Sequence, residues 1–215
     1  MALKKLELSE LEKDIIKELV NIGLARAADS FAIISKERVL LSVPDLRLID
    51  ANQIIEMMDM YKNTHVFIQS DIKGDFNGAT LMLFSAGHID RLTEVCLGGI
   101  KNLGSSPRKM QESLLLEISN IITGALVTQL ANILKCNIYG SPPKLPEDQI
   151  AESLKDLLTV HPMFQPVVVT VLTQFTDSLR QVDLPLFLFF DAETIIKILE
   201  IIRAANKTES PIFKL

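Results

Sequence analysis

The sequence predicts an α+β fold, a single domain of two internally duplicated α-β-α-β-β-α units that share a six-stranded sheet covered by helices. Three observations predict it. A Glu-x-x-Asn pair followed by proline 23 positions after the asparagine occurs as Glu18, Asn21, Pro44 and again as Glu117, Asn120, Pro143, every member of the second set standing 99 positions after its counterpart. Apolar residues recur at the helical period in two long segments, with short β-like runs following each. Both units close on similar strands, Leu81-Met82-Leu83-Phe84 and Phe187-Leu188-Phe189-Phe190, now 106 positions apart, so the second unit has gained seven loop residues (106 against 99).

The elements follow in order. Ser9 and Glu12 form a capping-box pattern, in which hydroxyl and carboxylate satisfy each other's orphan amides, and predict a helix from about Glu10. Leu11, Ile15, Leu19 and Ile22 step along it at helical spacing, while Asp14, Glu18 and Asn21, continued by Ala25 and Ala28, occupy a stripe expected to face outward. In the second unit Ser106-Pro107 marks a helix start, since proline at the first helical position has no amide to lose. Ser113, Glu117, Asn120 and Gly124 there take the places of Asp14, Glu18, Asn21 and Ala25. A β-like run follows each long helix, Arg38–Val43 and Cys136–Tyr139, and each is expected to end at the matched proline, which cannot donate to a sheet ladder. Short helices are expected at Asn52–Tyr61 and Glu147–Leu158. Strands then follow at Val66–Ile72, Ala79–Phe84, Val167–Thr173 and Leu184–Phe190, with turn chemistry at Asp75-Phe76-Asn77-Gly78 and Thr176-Asp177-Ser178. Helices Ala86–Leu97 and Ala192–Ala204 close the units. Gly98 to Gly104 reads as the connection between them. One domain over 1–206 results, with repeat one at about 1–105, repeat two at about 106–206, and a tail at 207–215 expected to be mobile.

Composition narrows the function classes. With 48% hydrophobic residues over 215 positions the chain can bury a sizeable core. A net charge of −5 without clustered lysine and arginine argues against a nucleic-acid groove. No uninterrupted apolar run reaches the roughly 18 residues that a membrane span needs, and the charged start lacks a signal-like apolar stretch. The expectation is a cytoplasmic protein without membrane insertion. Cys96 and Cys136 read as two buried thiols in a reducing compartment, and His65, His88 and His161 have no ligand spacing, so no metal site is expected.

A lone Glu-x-x-Asn on a helix is ordinarily a solvated face. Its recurrence with the same proline spacing singles it out, and here the chain resembles the CheC/CheX/FliY family of response-regulator phosphatases over nearly its whole length. The family motif is Asp or Ser, three residues, Glu, two residues, Asn, 22 residues, Pro. Asp14, Glu18, Asn21, Pro44 and Ser113, Glu117, Asn120, Pro143 satisfy it twice, which is most similar to the CheC branch. The resemblance implies hydrolysis of the aspartyl phosphate of a CheY-like receiver, with Asn21 and Asn120 orienting the attacking water and Glu18 and Glu117 contacting the receiver's lysine. It implies that Asp14, Ala25, Ser113 and Gly124 line the partner surface. No cofactor belongs to the chain itself, Mg2+ being expected on the receiver, and CheD is a further possible partner.

The chemistry suits these residue types. An acyl phosphate is already activated and its receiver carries the metal, so placing water in line is the main task left. An asparagine amide both donates and accepts, and does not titrate near pH 7. Two other readings stay open: a non-catalytic adaptor for a phosphorylated receiver or CheD, and an assembly module of the flagellar switch, whose protein FliM has a similar fold. Arg26 departs from the small residues usual after the family's asparagine, so the first copy differs from the pattern. A monomer is favoured.

Overall fold

A computed structural model of the chain describes residues 8–35, 39–49, 51–61, 63–98, 107–145, 164–175 and 181–207. The fold mixes helices with an antiparallel sheet. Helix α1 spans Glu10–Ser35 and strand β1 Val39–Leu48; α2 spans Ala51–Tyr61, β2 His65–Gly74, β3 Gly78–Ser85 and α3 Ala86–Leu97. After these come α4 (Pro107–Leu134), β4 (Ile138–Gly140), β5 (Phe164–Phe175), β6 (Gln181–Asp191) and α5 (Ala192–Lys207). The expected helix at Glu147–Leu158, the Thr176–Ser178 turn and the tail beyond Lys207 lie outside the described residues, as does the connection after Gly98.

Four long strands form the centre of the sheet in the order β5-β6-β3-β2, with β1 outside β5 and the short β4 outside β2. Exchanging β1 with β4, β2 with β5 and β3 with β6 reverses this order onto itself. At its middle Leu81 lies directly opposite Phe187, its counterpart at the 106 offset. Each outer strand pairs with a strand of the opposite half of the chain, β1 with β5 and β4 with β2.

Strand side chains alternate between faces, and the two faces have different covers. Ile68, Ile72, Met82, Phe84, Leu186, Leu188 and Phe190 meet the buried residues of α1, α3, α4 and α5. Phe67, Leu81, Leu83, Phe187 and Phe189 meet Ile54 and Met58 of α2 on the other side. By length and composition α4 is apolar enough to cross a membrane, yet 56% of its apolar window is buried inside the fold.

Two expected strand ends are corrected. β1 does not stop at Pro44 but runs to Leu48, with a break in register between Ser42, opposite Leu172, and Asp45, opposite Thr170. Three steps on β1 meet two on β5, a one-residue bulge that contains the proline. β4 begins at Ile138 rather than Cys136, because Lys135 ends α4 in a left-handed conformation (φ 50°) and the Cys136 amide still donates to Ala131. Beyond β4 the same bulge recurs: the Ser141 amide donates to the Asp71 carbonyl at 2.8 Å, and Lys144 next pairs with Gln69, three steps against two across Pro143. An outer strand tolerates proline at such a bulge because the missing donor has no ladder partner there.

The tip of the β2–β3 hairpin is fastened to the link between α4 and β4. Gly74 adopts φ +123°, and a Cβ there would sit 2.0 Å from the Asn137 carbonyl oxygen, so only glycine fits. Asp75 completes the joint, its amide donating to Asn137 O at 3.0 Å and its carboxylate accepting from Asn137 N at 2.7 Å.

Candidate functional sites on the two long helices

α1 begins as its capping box requires. The Ser9 amide and hydroxyl donate to the Glu12 carboxylate at 2.8 and 2.9 Å, and the Glu12 amide donates back to the Ser9 hydroxyl at 3.3 Å. Arg203 of α5 also donates to that carboxylate, from Nε at 2.7 Å. The backbone bond from Ser9 is the main reason the carboxyl is held below its ordinary range, burial opposing it and the Ser9 hydroxyl and Arg203 adding to it. At the matched place on α4, 99 positions on, Gln111 donates to Thr93 of α3 at 3.4 Å. Each long helix is thus tied near its start to the closing helix of the other half. Sequence reasoning missed both ties, whose only signal was the matched position of Glu12 and Gln111.

Beyond these turns the candidate residues lie on one stripe of each helix. Asp14, Glu18 and Ala25 are exposed on α1, and Asn21 is half-buried and already has a partner within the chain. Ser113, Glu117 and Asn120 are exposed on α4, with Gly124 half-buried, and the Ser113 hydroxyl donates to the Lys109 carbonyl at 2.9 Å. Spacing of three places each glutamate beside its asparagine. Ala28, expected on the outward stripe, is buried. Seven residues from Asn21 it has moved about 20° around the helix, away from Ala25 and Glu18 and toward the core side.

The packing of the helices sets where the stripes point. A Cβ on Gly23 would stand 3.1 Å from the Leu126 Cα, which makes Gly23 the point where α1 meets α4. Asn21 and Ala25 are each two residues from Gly23, and Gly124 is two from Leu126, so all three sit about 200° around their helices from the contact. The stripes therefore lie on opposite flanks of the helix pair. Helical spacing sets Glu18 beside Asn21 and Glu117 beside Asn120, and the two pairs lie apart.

The glycines of the two helices contrast. A Cβ on Gly23 would crowd the Leu126 backbone, whereas one on Gly124 would meet nothing within 4 Å among the described residues. Nothing inside the described fold calls for glycine at 124, where it costs about 1 kcal/mol of helix stability relative to alanine.

Other candidate chemistry is weak. His65 and His88 come within 6.4 Å, ring to ring, and Tyr61 stacks edge-on against His65 at 4.6 Å. Burial keeps the His65 ring below its usual pKa, and the His88 Nδ1 accepts the Ser85 amide at 3.2 Å to cap α3. No group of three metal-ligating side chains occurs among the described residues. Cys96 and Cys136 are half-buried thiols; burial, then the Asp75 charge, pushes the Cys136 thiol up, away from nucleophilic use.

Comparison with known proteins fits this arrangement. The model of the CheC-like family matches residues 110–145, the segment that holds Ser113, Glu117, Asn120, Gly124 and Pro143. The chain is 26% identical to the CheY-P phosphatase CheC of Bacillus subtilis over 71% of its length and 76% of that protein. It is 24% identical to the flagellar motor switch phosphatase FliY of the same organism over 65% of its length, a match that spans only 36% of FliY. Among solved structures, Thermotoga maritima FliY superposes with a TM-score of 0.70 at 19% identity, covering 91% of this chain and 98% of that one.

Proposed function

We infer, from the CheC/CheX/FliY family that these matches support, that the chain is a chemotaxis-type phosphatase acting on the aspartyl phosphate of a CheY-like receiver in the cytoplasm. The observation that carries this reading is the Glu/Asn pair on an outer helix stripe, present twice and exposed in full at Glu117 and Asn120, with Gly124 standing where the described fold has no use for a glycine. We read the correspondence of the halves as an internal duplication that yields two such surfaces.

Each surface completes a site whose remaining parts belong to the receiver, including its magnesium and its phosphorylated aspartate. Asn120, and Asn21 in the other copy, holds a water in line with phosphorus. Water adds to phosphorus, the bond to the aspartyl oxygen breaks, and the carboxylate leaves with the electron pair while the water's proton ends on the released phosphate. Glu117 and Glu18 accept hydrogen bonds from the receiver's lysine and so fix the approach. Positioning alone supplies a large rate effect in such a reaction. The exposed Glu117/Asn120 pair is the more accessible of the two, Asn21 being half-buried.

Decay of a phosphorylated receiver from the same source tests the reading. Wild type should speed decay, Asn21→Ala/Asn120→Ala should lose about 100-fold of that acceleration with folding intact, and Asn120→Ala alone should cost more than Asn21→Ala. Equal acceleration by wild type and the double variant excludes the assigned mechanism.

A further inference from the structure

We propose that Leu11 and Met110 are apolar docking positions for the receiver, one at the head of each stripe, an inference that rests on the phosphatase reading. Leu11 precedes Asp14 by three residues and Glu18 by seven, spacings that keep it on the same helical face. Met110 stands 99 positions later, in the same relation to Ser113 and Glu117.

Neither side chain belongs to either apolar cluster of the core. Leu11, expected on the apolar stripe with Ile15 and Leu19, is instead 64% exposed, because the core closes over α1 only farther along the helix, where it buries Leu19, Val20 and Leu24. A single exposed leucine is ordinary on a protein surface. What distinguishes this one is an apolar counterpart, the half-buried Met110, at the matched place on the other stripe; the more exposed Ile33 has Asn132 instead. Leu40 and Tyr139 also match each other and are exposed, but they lie on the outer strands β1 and β4 and not on a stripe.

The turn that carries each docking residue is also held in place. Glu12, next to Leu11, is bonded to Arg203, and Gln111, next to Met110, is bonded to Thr93. An apolar group on a fixed backbone gives up little freedom on binding, so more of its burial appears as affinity. The labour divides accordingly: the Glu/Asn pair sets geometry through polar contacts, and the residue one turn before the first motif position adds affinity by leaving water.

Steady-state kinetics of Leu11→Ser/Met110→Ser on the phosphorylated receiver test this. KM should rise roughly tenfold, the equivalent of about 1.4 kcal/mol, with kcat and the melting temperature unchanged. The swapped variant Leu11→Met/Met110→Leu, which keeps both groups apolar and the fold intact, should restore KM. A wild type that speeds decay beside a serine variant with the same KM overturns the docking role and leaves the phosphatase reading standing. So does a fall in kcat at constant KM. A wild type that speeds the decay of no receiver overturns the phosphatase reading and this inference with it.

Discussion

Gly124 and Gly23 show how one residue type serves two ends on adjoining helices. Adding a methyl at 124 meets none of the described residues, so Gly124→Ala should raise stability by about 1 kcal/mol in denaturant unfolding. The same methyl would stand on the surface offered to the receiver and should weaken binding of the activated receiver in a titration. Gly23→Val, by contrast, drives atoms against the Leu126 backbone and should cost about 2 kcal/mol through overpacking. Opposite signs at two glycines would separate a partner-facing position from a packing one. That Glu18 shares a stripe with Asn21, and Glu117 with Asn120, was legible in the sequence because helical period turns spacing directly into a face. The half-burial of Asn21 and full burial of Ala28 were not, since how far a stripe is covered depends on neighbouring elements that spacing does not describe.

At the scale of elements, the start of α1 couples helix capping to acidity. Glu12 is held below its ordinary 4.5 by Ser9 and Arg203, so its contribution to stability is full above that value and fades as pH falls through the lowered one. Glu12→Ala should therefore lose about 1 kcal/mol at neutral pH, most of it the cap because the Arg203 pair is partly screened. The difference from wild type should close below pH 4.5, as melting curves across pH would show. A gap that persisted unchanged in acid would exclude the charged form as its source. The capping box could be read directly, being a local pattern within four residues, whereas the Arg203 contact joins residues 191 apart. Pro44 is visible as strand punctuation but is no strand end, whereas β4 does stop short of Pro143; an outer strand can take a bulge and carry on, a choice made by the partner strand and not by the proline.

For the molecule as a whole, the two stripes on opposite flanks allow two receivers to dock without sharing a surface. Sedimentation or calorimetry with activated receiver should give two bound per chain, and Glu117→Ala/Asn120→Ala should reduce this to one. A single receiver bound to wild type, lost entirely in that variant, would mean that the α1 surface does not bind. Helices, strands and their sequence order were largely readable from periodicity. The neighbour order within the sheet was not, because β1 next to β5 and β4 next to β2 are pairings between distant segments with no local signature. That exchange of outer strands has a consequence for how the chain can be divided. A protein cut between α3 and α4 would yield two fragments, each missing the outer strand of its own hairpin and carrying the strand its neighbour lacks. Neither piece is a smaller version of the whole, and the covalent link serves to keep each fragment at high effective concentration around the other.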